Sequence, residues 1–191
     1  LKKGIVESRF FKDTLDINID SNYAFIDSNY KNTEQSDKIK ILINKKPKKN
    51  IQGLINFKNK NNIINSKEFK KFINLNNNIN IIDQDIVFSS SGDISFKFDN
   101  KYKVKNIEVK SQIDLDKLLI GYKSLRIKKY LPKYANKIKL LDSKINFEYR
   151  KGNFDFNIIS KYLINNIEDN FKLNLKKNND NFYFNSIFDF E

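Results

Sequence analysis

The sequence predicts a mainly β protein, in which a curved antiparallel meander sheet forms an open, β-taco-like groove accompanied by one or two short helices. The first observation behind this prediction is that apolar and polar residues alternate with period two along most of the chain. The second is that turn-forming residues separate the alternating runs. The third is that no run has the length and spacing of a helix that would cover a sheet.

The first two thirds of the chain contain four alternating runs. Successive side chains of a β-strand point to opposite faces, so each run predicts a strand with one apolar and one polar face. The apolar members are Leu15, Ile17 and Ile19, then Ile39, Ile41 and Ile43, then Ile94, Phe96 and Phe98, and then Ile107, Val109, Ile113 and Leu115.

The C-terminal third has the clearest alternation and predicts four strands of an antiparallel meander. Lys151-Gly152-Asn153 and Lys177–Asn181 predict tight turns, and residues 165–170 separate two further strands. The apolar residues of these four strands are our candidates for the lining of the groove. They are Ile145, Phe147, Tyr149, Phe154, Phe156, Ile158, Phe171, Leu173, Leu175, Phe182, Phe184 and Phe188.

Two segments break the alternation. Ser66 to Ile73 has apolar residues at i, i+3 and i+4 behind Ser66 as N-cap, which predicts a short helix. Leu118 to Leu131 predicts a strand end followed by a turn or two of helix, which Pro132 terminates. We expect loops at residues 29–37, 45–50 and 74–80, and a hairpin turn at Ser89–Gly92.

The length of 191 residues corresponds to about one domain. We therefore treat residues 1–191 as a single β-rich segment, with a candidate sub-boundary near residues 62–80. The chain opens at Leu1 rather than at Met and stops within an alternating run at Glu191. We expect it to be an internal fragment of a longer repeat protein.

Two residue types that often carry catalysis or bind metals are missing from the chain. The chain has no Cys and no His, which removes thiol nucleophiles, thiolate metal sites and the commonest general base. The remaining candidates are the carboxylate pairs Asp83/Asp85, Asp114/Asp116 and Glu168/Asp169. Each pair lies on the polar side of a strand or at a turn, where Asp is expected for solvation. We predict no enzymatic activity, no catalytic residue, no metal site and no cofactor.

The net charge of +13 comes from 36 basic and 23 acidic residues. A basic chain raises the question of nucleic-acid binding. However, Arg occurs only at Arg9, Arg126 and Arg150, whereas phosphate and base recognition favours guanidinium groups. We therefore expect no nucleic-acid partner and assign most Lys residues to solvent-facing positions.

The pattern alone leaves open what buries the apolar face. Each Phe or Ile left in water forgoes roughly 1.5–3 kcal/mol of burial. A second sheet would make the face the closed core of a structural β-sandwich or adhesin-type module, whereas an open trough would accept acyl chains. An outer-membrane β-barrel fits less well, because many runs are shorter than the ~9–11 residues that span a bilayer.

A family resemblance is carried by Asp93–Asn106, Ile113–Leu118, Lys129–Tyr134, Ser143–Tyr149 and Asn153–Ile158. In these segments the chain resembles the AsmA-like proteins, in particular their YhdP-type branch. The resemblance implies an extended β-groove of stacked repeats that projects into the periplasm and is anchored in the inner membrane outside this fragment. It also implies phospholipid acyl chains as partners, and a role in phospholipid transport between inner and outer membrane or in cell-envelope integrity. The family has no catalytic residues to carry over.

Overall fold

The strands of the chain follow one another across one sheet. The computed structural model describes residues 3–11, 14–23, 37–46, 50–67, 70, 79–99, 101, 103–122 and 136–189. Within these ranges the strands are β1 (Lys3–Phe11), β2 (Thr14–Tyr23), β3 (Asp37–Lys45), β4 (Gln52–Asn65), β5 (Ile79–Ile81), β6 (Asp85–Phe98), β7 (Val104–Tyr122), β8 (Lys137–Arg150), β9 (Asn153–Ile164), β10 (Ile167–Asn178) and β11 (Asn181–Phe188).

The pairing of the strands follows chain order along the path β1-β2-β3-β4-β6-β7-β8-β9-β10-β11. All of these pairings are antiparallel, and the short β5 lies off the path, where it pairs with β7. The sheet is curved and open, with β1 and β11 at its edges. The predicted antiparallel meander is confirmed. The described residues contain no second sheet of the kind that a β-sandwich requires.

The register assigns the residues of each strand to one of two faces. Directly paired residues of neighbouring antiparallel strands have their side chains on the same side of the sheet. Ile41 of β3 pairs with Ile19 of β2 and with Ile55 of β4, and the same relation continues from strand to strand. We call the side that collects these Ile, Leu, Val and Phe residues the apolar face. The opposite side, rich in Lys, Asn and Asp, is the polar face.

Three β-bulges interrupt the central strands. Asn61 in β4, Asn106 in β7 and Asp142 in β8 have φ angles of 50°, 51° and 48°. The register shifts at the same places. Asn and Asp tolerate this left-handed conformation better than most other residues. A bulge adds one residue to a strand and increases its bend and twist, so these three residues contribute to the curvature of the sheet.

The hairpins of the C-terminal meander close through two-residue turns. Lys151 and Gly152 have φ angles of 51° and 81°, and Asn165 and Asn166 have φ angles of 51° and 69°. Positive φ at both positions matches the twist of the flanking strands. The turn predicted around Gly152 is confirmed. The break predicted at residues 165–170 is shorter than expected, because β10 already begins at Ile167.

Some predictions from the sequence are wrong. Ser89–Gly92 is not a hairpin turn but lies within β6, where it pairs with both β4 and β7. Its glycine makes room for a neighbour instead, since a Cβ at Gly92 would lie 2.8 Å from Phe57 Cζ and would also collide with the Lys110 carbonyl oxygen. The loop predicted at residues 74–80 overlaps β5, and the alternation predicts neither β1 nor β4.

The predicted helices fall partly outside the described residues. In the segment predicted as a helix from Ser66 to Ile73, Ser66, Lys67 and Lys70 are helical, and the other residues lie outside the described ranges. The strand predicted from Leu118 continues to Tyr122, while residues 123–131 with their predicted helix are not among those described, nor are residues 29–36 of a predicted loop. Among the described residues, no helix is long and apolar enough to cross a membrane.

The most deeply buried apolar side chains gather at one end of the apolar face. Ile81, Ile86, Leu115 and Leu118 are at most 8% exposed and form one cluster. Ile81 comes from β5, whose pairing with β7 brings an extra strand to this end. The core of the described sheet is therefore local, and most of the apolar face extends beyond it.

Candidate functional site

One continuous line of side chains crosses the entire apolar face. Following the register from edge to edge gives one residue from each of the ten strands of the path. We call this line the apolar row: Val6, Ile19, Ile41, Ile55, Ile94, Val109, Tyr149, Phe154, Lys177 and Phe182. Strands lie about 4.8 Å apart, so nine intervals give the row a length of about 43 Å.

The side chains of the apolar face are mostly half-buried, and those near the two sheet edges are largely exposed. Val6 and Phe10 in β1 are 66% and 74% exposed, and Phe182 and Phe184 in β11 are 65% and 69% exposed. Exposed apolar patches rimmed by polar residues mark interaction or ligand-binding surfaces in soluble proteins. The described residues thus present an elongated apolar surface that is accessible at its edges.

All the predicted lining residues lie on the apolar face. By strand they are Ile145, Phe147 and Tyr149 in β8, Phe154, Phe156 and Ile158 in β9, Phe171, Leu173 and Leu175 in β10, and Phe182, Phe184 and Phe188 in β11. The register also extends this surface into the N-terminal strands, which contain none of the predicted lining residues. The alternation of Ile19, Ile41 and Ile94 is the signal that identifies them.

An aromatic cluster lies on the apolar face near β11. The rings of Phe171 and Phe188 are stacked 5.8 Å apart, and Tyr162 packs edge-on against both at 6.3 and 6.1 Å. The Tyr162 hydroxyl donates a hydrogen bond to the Asp189 carbonyl oxygen at 2.9 Å. Burial, together with the charges of Asp169 and Asp189, raises the pKa of Tyr162. Tyr162 is not among the predicted lining residues, although it continues the alternation of β9.

Small polar residues interrupt the apolar face next to the bulges. The Ser143 and Ser160 hydroxyls lie 2.7 Å apart, and Ser160 also donates to the Leu141 carbonyl oxygen at 3.1 Å. Asn59 Nδ2 donates to Ser90 Oγ at 2.8 Å. Because these groups bond to one another and to the backbone, they do not offer free polar sites to a guest.

Charge is almost absent from the apolar face. Among its described side chains, the charged ones are Lys45, Asp169 and Lys177. Lys45 is exposed at the end of β3, and Asp169 is buried beside Tyr162. Lys177 lies between Phe154 and Phe182 in the apolar row and is half-buried.

The polar face is arranged for water by cross-strand pairing. Its ion pairs include Arg150 with Glu108 at 2.9 Å and Lys110 with Glu148 at 3.6 Å. Asn146, Asn157, Asn174 and Asn185 follow one another in register across β8–β11, and Asn174 donates to Asn157 at 2.6 Å. Opposite charges directly across strands stabilise a sheet, so these ion pairs and the Asn174–Asn157 hydrogen bond stabilise the polar face in contact with water.

The three carboxylate pairs lie in different surroundings, and the prediction that each lies on the polar side of a strand or at a turn is wrong for Asp169, which is buried on the apolar face opposite Tyr162. Asp83 Oδ2 accepts a hydrogen bond from the Leu119 backbone at 2.5 Å, and Glu168 pairs with Lys161 at 3.1 Å. Asp114 and Asp116 are exposed on β7. Within the described ranges, no group of three or more His, Cys, Asp or Glu residues is placed to hold a metal ion.

Comparison of the chain with protein-family models, curated proteins and solved structures found no match.

Proposed function

We propose that the apolar face binds the acyl chains of phospholipids and that the chain is a non-enzymatic, lipid-handling segment. The observation that supports this proposal best is the apolar row, which crosses all ten strands of the path with one charged residue near its β11 end. A hydrocarbon lying along the row would contact a new side chain every 4.8 Å or so. Such contacts need no directional partner, because the hydrophobic effect scales with the area removed from water.

We further propose that the segment acts as part of an AsmA-like protein in the periplasm, anchored to the inner membrane outside these residues. There it would contribute to phospholipid transport between inner and outer membrane or to envelope integrity. Two features support this role. The paired charges of the polar face suit continuous contact with water, and the bulges at Asn61 and Asp142 bend the sheet while keeping its apolar face continuous.

The test is lipid binding by the 191-residue chain and by a matched pair of variants. Phe156 lies on the apolar face between Phe147 and Leu175, and Asn146, the residue before Phe147, is exposed on the polar face. We expect phospholipid to co-purify with the wild-type chain and with Asn146→Asp, and to be lost from Phe156→Asp. The bound lipid is extracted and quantified by mass spectrometry, with circular dichroism as the control for folding.

A second variant keeps the test informative if Phe156→Asp does not fold. Phe184 is 69% exposed in the edge strand, so a charge there does not disrupt a core. Phe184→Asp should fold and bind less lipid. If the apolar face were instead the closed core of a structural module, the wild-type preparation would contain no lipid and Phe184→Asp would not change the lipid content. Normal lipid retention by a folded Phe156→Asp chain would also refute the proposal.

A further inference from the structure

Lys177 is the charged member of the apolar row. Its register partners are Phe154 in β9 and Phe182 in β11, so phenyl rings flank it on both sides. Its Nζ lies 5.7 Å from the centroid of the Phe182 ring, within the range of a cation–π contact. The ammonium group is therefore held against the apolar face rather than turned over the sheet edge.

Some lysines of the polar face, on the opposite side of the sheet, form ion pairs with carboxylates of neighbouring strands. Lys176, the preceding residue, lies 3.7 Å from Asp155, and Lys110 lies 3.6 Å from Glu148. Lys177 takes part in no ion pair among the described residues. A charge that is partly withdrawn from water is stabilised by a counter-ion. The apolar face thus offers a cation whose counter-ion would come from a ligand.

We propose that Lys177 binds the anionic head group of an amphiphile whose alkyl chain lies along the apolar row. This proposal rests on the proposed function, the binding of acyl chains by the apolar face. The shared ligand chemistry is a carboxylate or phosphate joined to a long hydrocarbon. From Lys177 the row continues through Phe154, Tyr149, Val109 and Ile94. Four strand intervals span about 19 Å, whereas one leaflet contributes about 15 Å to the hydrocarbon core of a bilayer. One acyl chain therefore fits between the head-group position and β6.

The experiment compares three probes of equal chain length on the 191-residue chain: dodecanoate, dodecyl phosphate and uncharged dodecanol, below their aggregation concentrations. We expect the wild type to bind the two anions roughly tenfold more tightly than the alcohol, as a charge-assisted contact predicts. In Lys177→Gln this preference should disappear while the affinity for dodecanol stays unchanged. Lys177→Glu should bind the anions more weakly than the alcohol.

Lys176→Gln is the matched control, since it removes the same charge from the adjacent residue on the opposite face. It should keep the preference for anions. Loss of the preference in both variants would overturn the inference, because it would indicate a general effect of the net charge. Equal binding of all three probes by the wild type would also overturn it but leave the proposed function standing. If the wild type binds none of the probes, both proposals fail. A preference for dodecyl phosphate over dodecanoate would identify a phospholipid head group rather than a free fatty acid as the source.

Discussion

Truncating two apolar side chains should separate the part of the apolar face that holds the fold together from the part that is open. Ile86 is 0% exposed and packs in the cluster with Leu115 and Leu118, whereas Phe184 is 69% exposed. Ile86→Ala removes buried methyl and methylene groups and leaves a cavity. We expect it to lower the free energy of unfolding by about 3 kcal/mol, within the range of roughly 2–5 kcal/mol for such changes.

Phe184→Ala removes a larger side chain but should cost less. Because the residue is 69% exposed, about a third of its surface is buried. A third of roughly 200 Å² is about 65 Å², which at about 25 cal/mol per Å² gives about 1.5 kcal/mol. This figure is an upper value, because the alanine keeps its Cβ and the unfolded chain already buries some apolar area.

The assay is urea unfolding followed by circular dichroism, with the slope of the free energy against urea as a check that both variants unfold as the wild type does. The smaller side chain, Ile86, should cause the larger loss. Equal losses, or a loss of 3 kcal/mol or more for Phe184→Ala, would show that Phe184 is packed in a closed core in solution. That result would refute the accessible apolar face on which both proposals depend.

Three further changes test local features of the sheet. Gly92→Ala should destabilise the fold by about 1–3 kcal/mol, because the new Cβ collides with Phe57 and the Lys110 carbonyl. If its midpoint of urea unfolding equals that of the wild type, Gly92 does not lie in a strand. Asp142, at φ 48°, should tolerate glycine but not valine, so Asp142→Val should unfold at lower temperature than Asp142→Gly. Tyr162→Phe should lose about 0.5–1.5 kcal/mol with its hydrogen bond. Burial raises the pKa of Tyr162 in the folded chain, so this residue's contribution to stability is retained below about pH 10 and is lost as the pH rises towards the folded-state pKa. Unfolding curves at alkaline pH should therefore show a smaller loss of stability for Tyr162→Phe than for the wild type.

The alternation of side chains predicts β2, β3 and β6–β11 because each of these strands has one apolar and one polar face. It also places the twelve lining candidates on one face, since the same alternation sets the cross-strand register. The pattern does not predict β4, in which Lys60 and Asn61 interrupt the alternation at a bulge. There, Asn59 and Ser90 bond to each other across the strands, and a tertiary contact of this kind has no local signal.

The Ser-rich segment before Gly92 shows how composition can mislead. Ser and Gly favour turns when the chain is considered locally. In the sheet, Gly92 lies opposite Phe57, whose ring occupies the space that a side chain would fill. Strand propensity depends on such neighbours more than on the residue itself, so only the assembled sheet distinguishes this strand from a hairpin.

The composition of the apolar row bears on movement along the sheet as well as on binding. Its members in the six strands from β1 to β7 are branched aliphatic residues: Val6, Ile19, Ile41, Ile55, Ile94 and Val109. A hydrocarbon that shifts by one strand exchanges one such contact for another of nearly equal size, and each buried methylene is worth about 0.8 kcal/mol wherever it lies. Over these five intervals, about 24 Å, no position favours the guest strongly over the next. Within the row, the aromatic residues and Lys177 are confined to the other end, from Tyr149 to Phe182. A guest with an anionic head would therefore bind in one preferred orientation at the β8–β11 end. Along the rest of the row its binding free energy would change little from strand to strand, which is what a conduit requires and a single tight pocket does not.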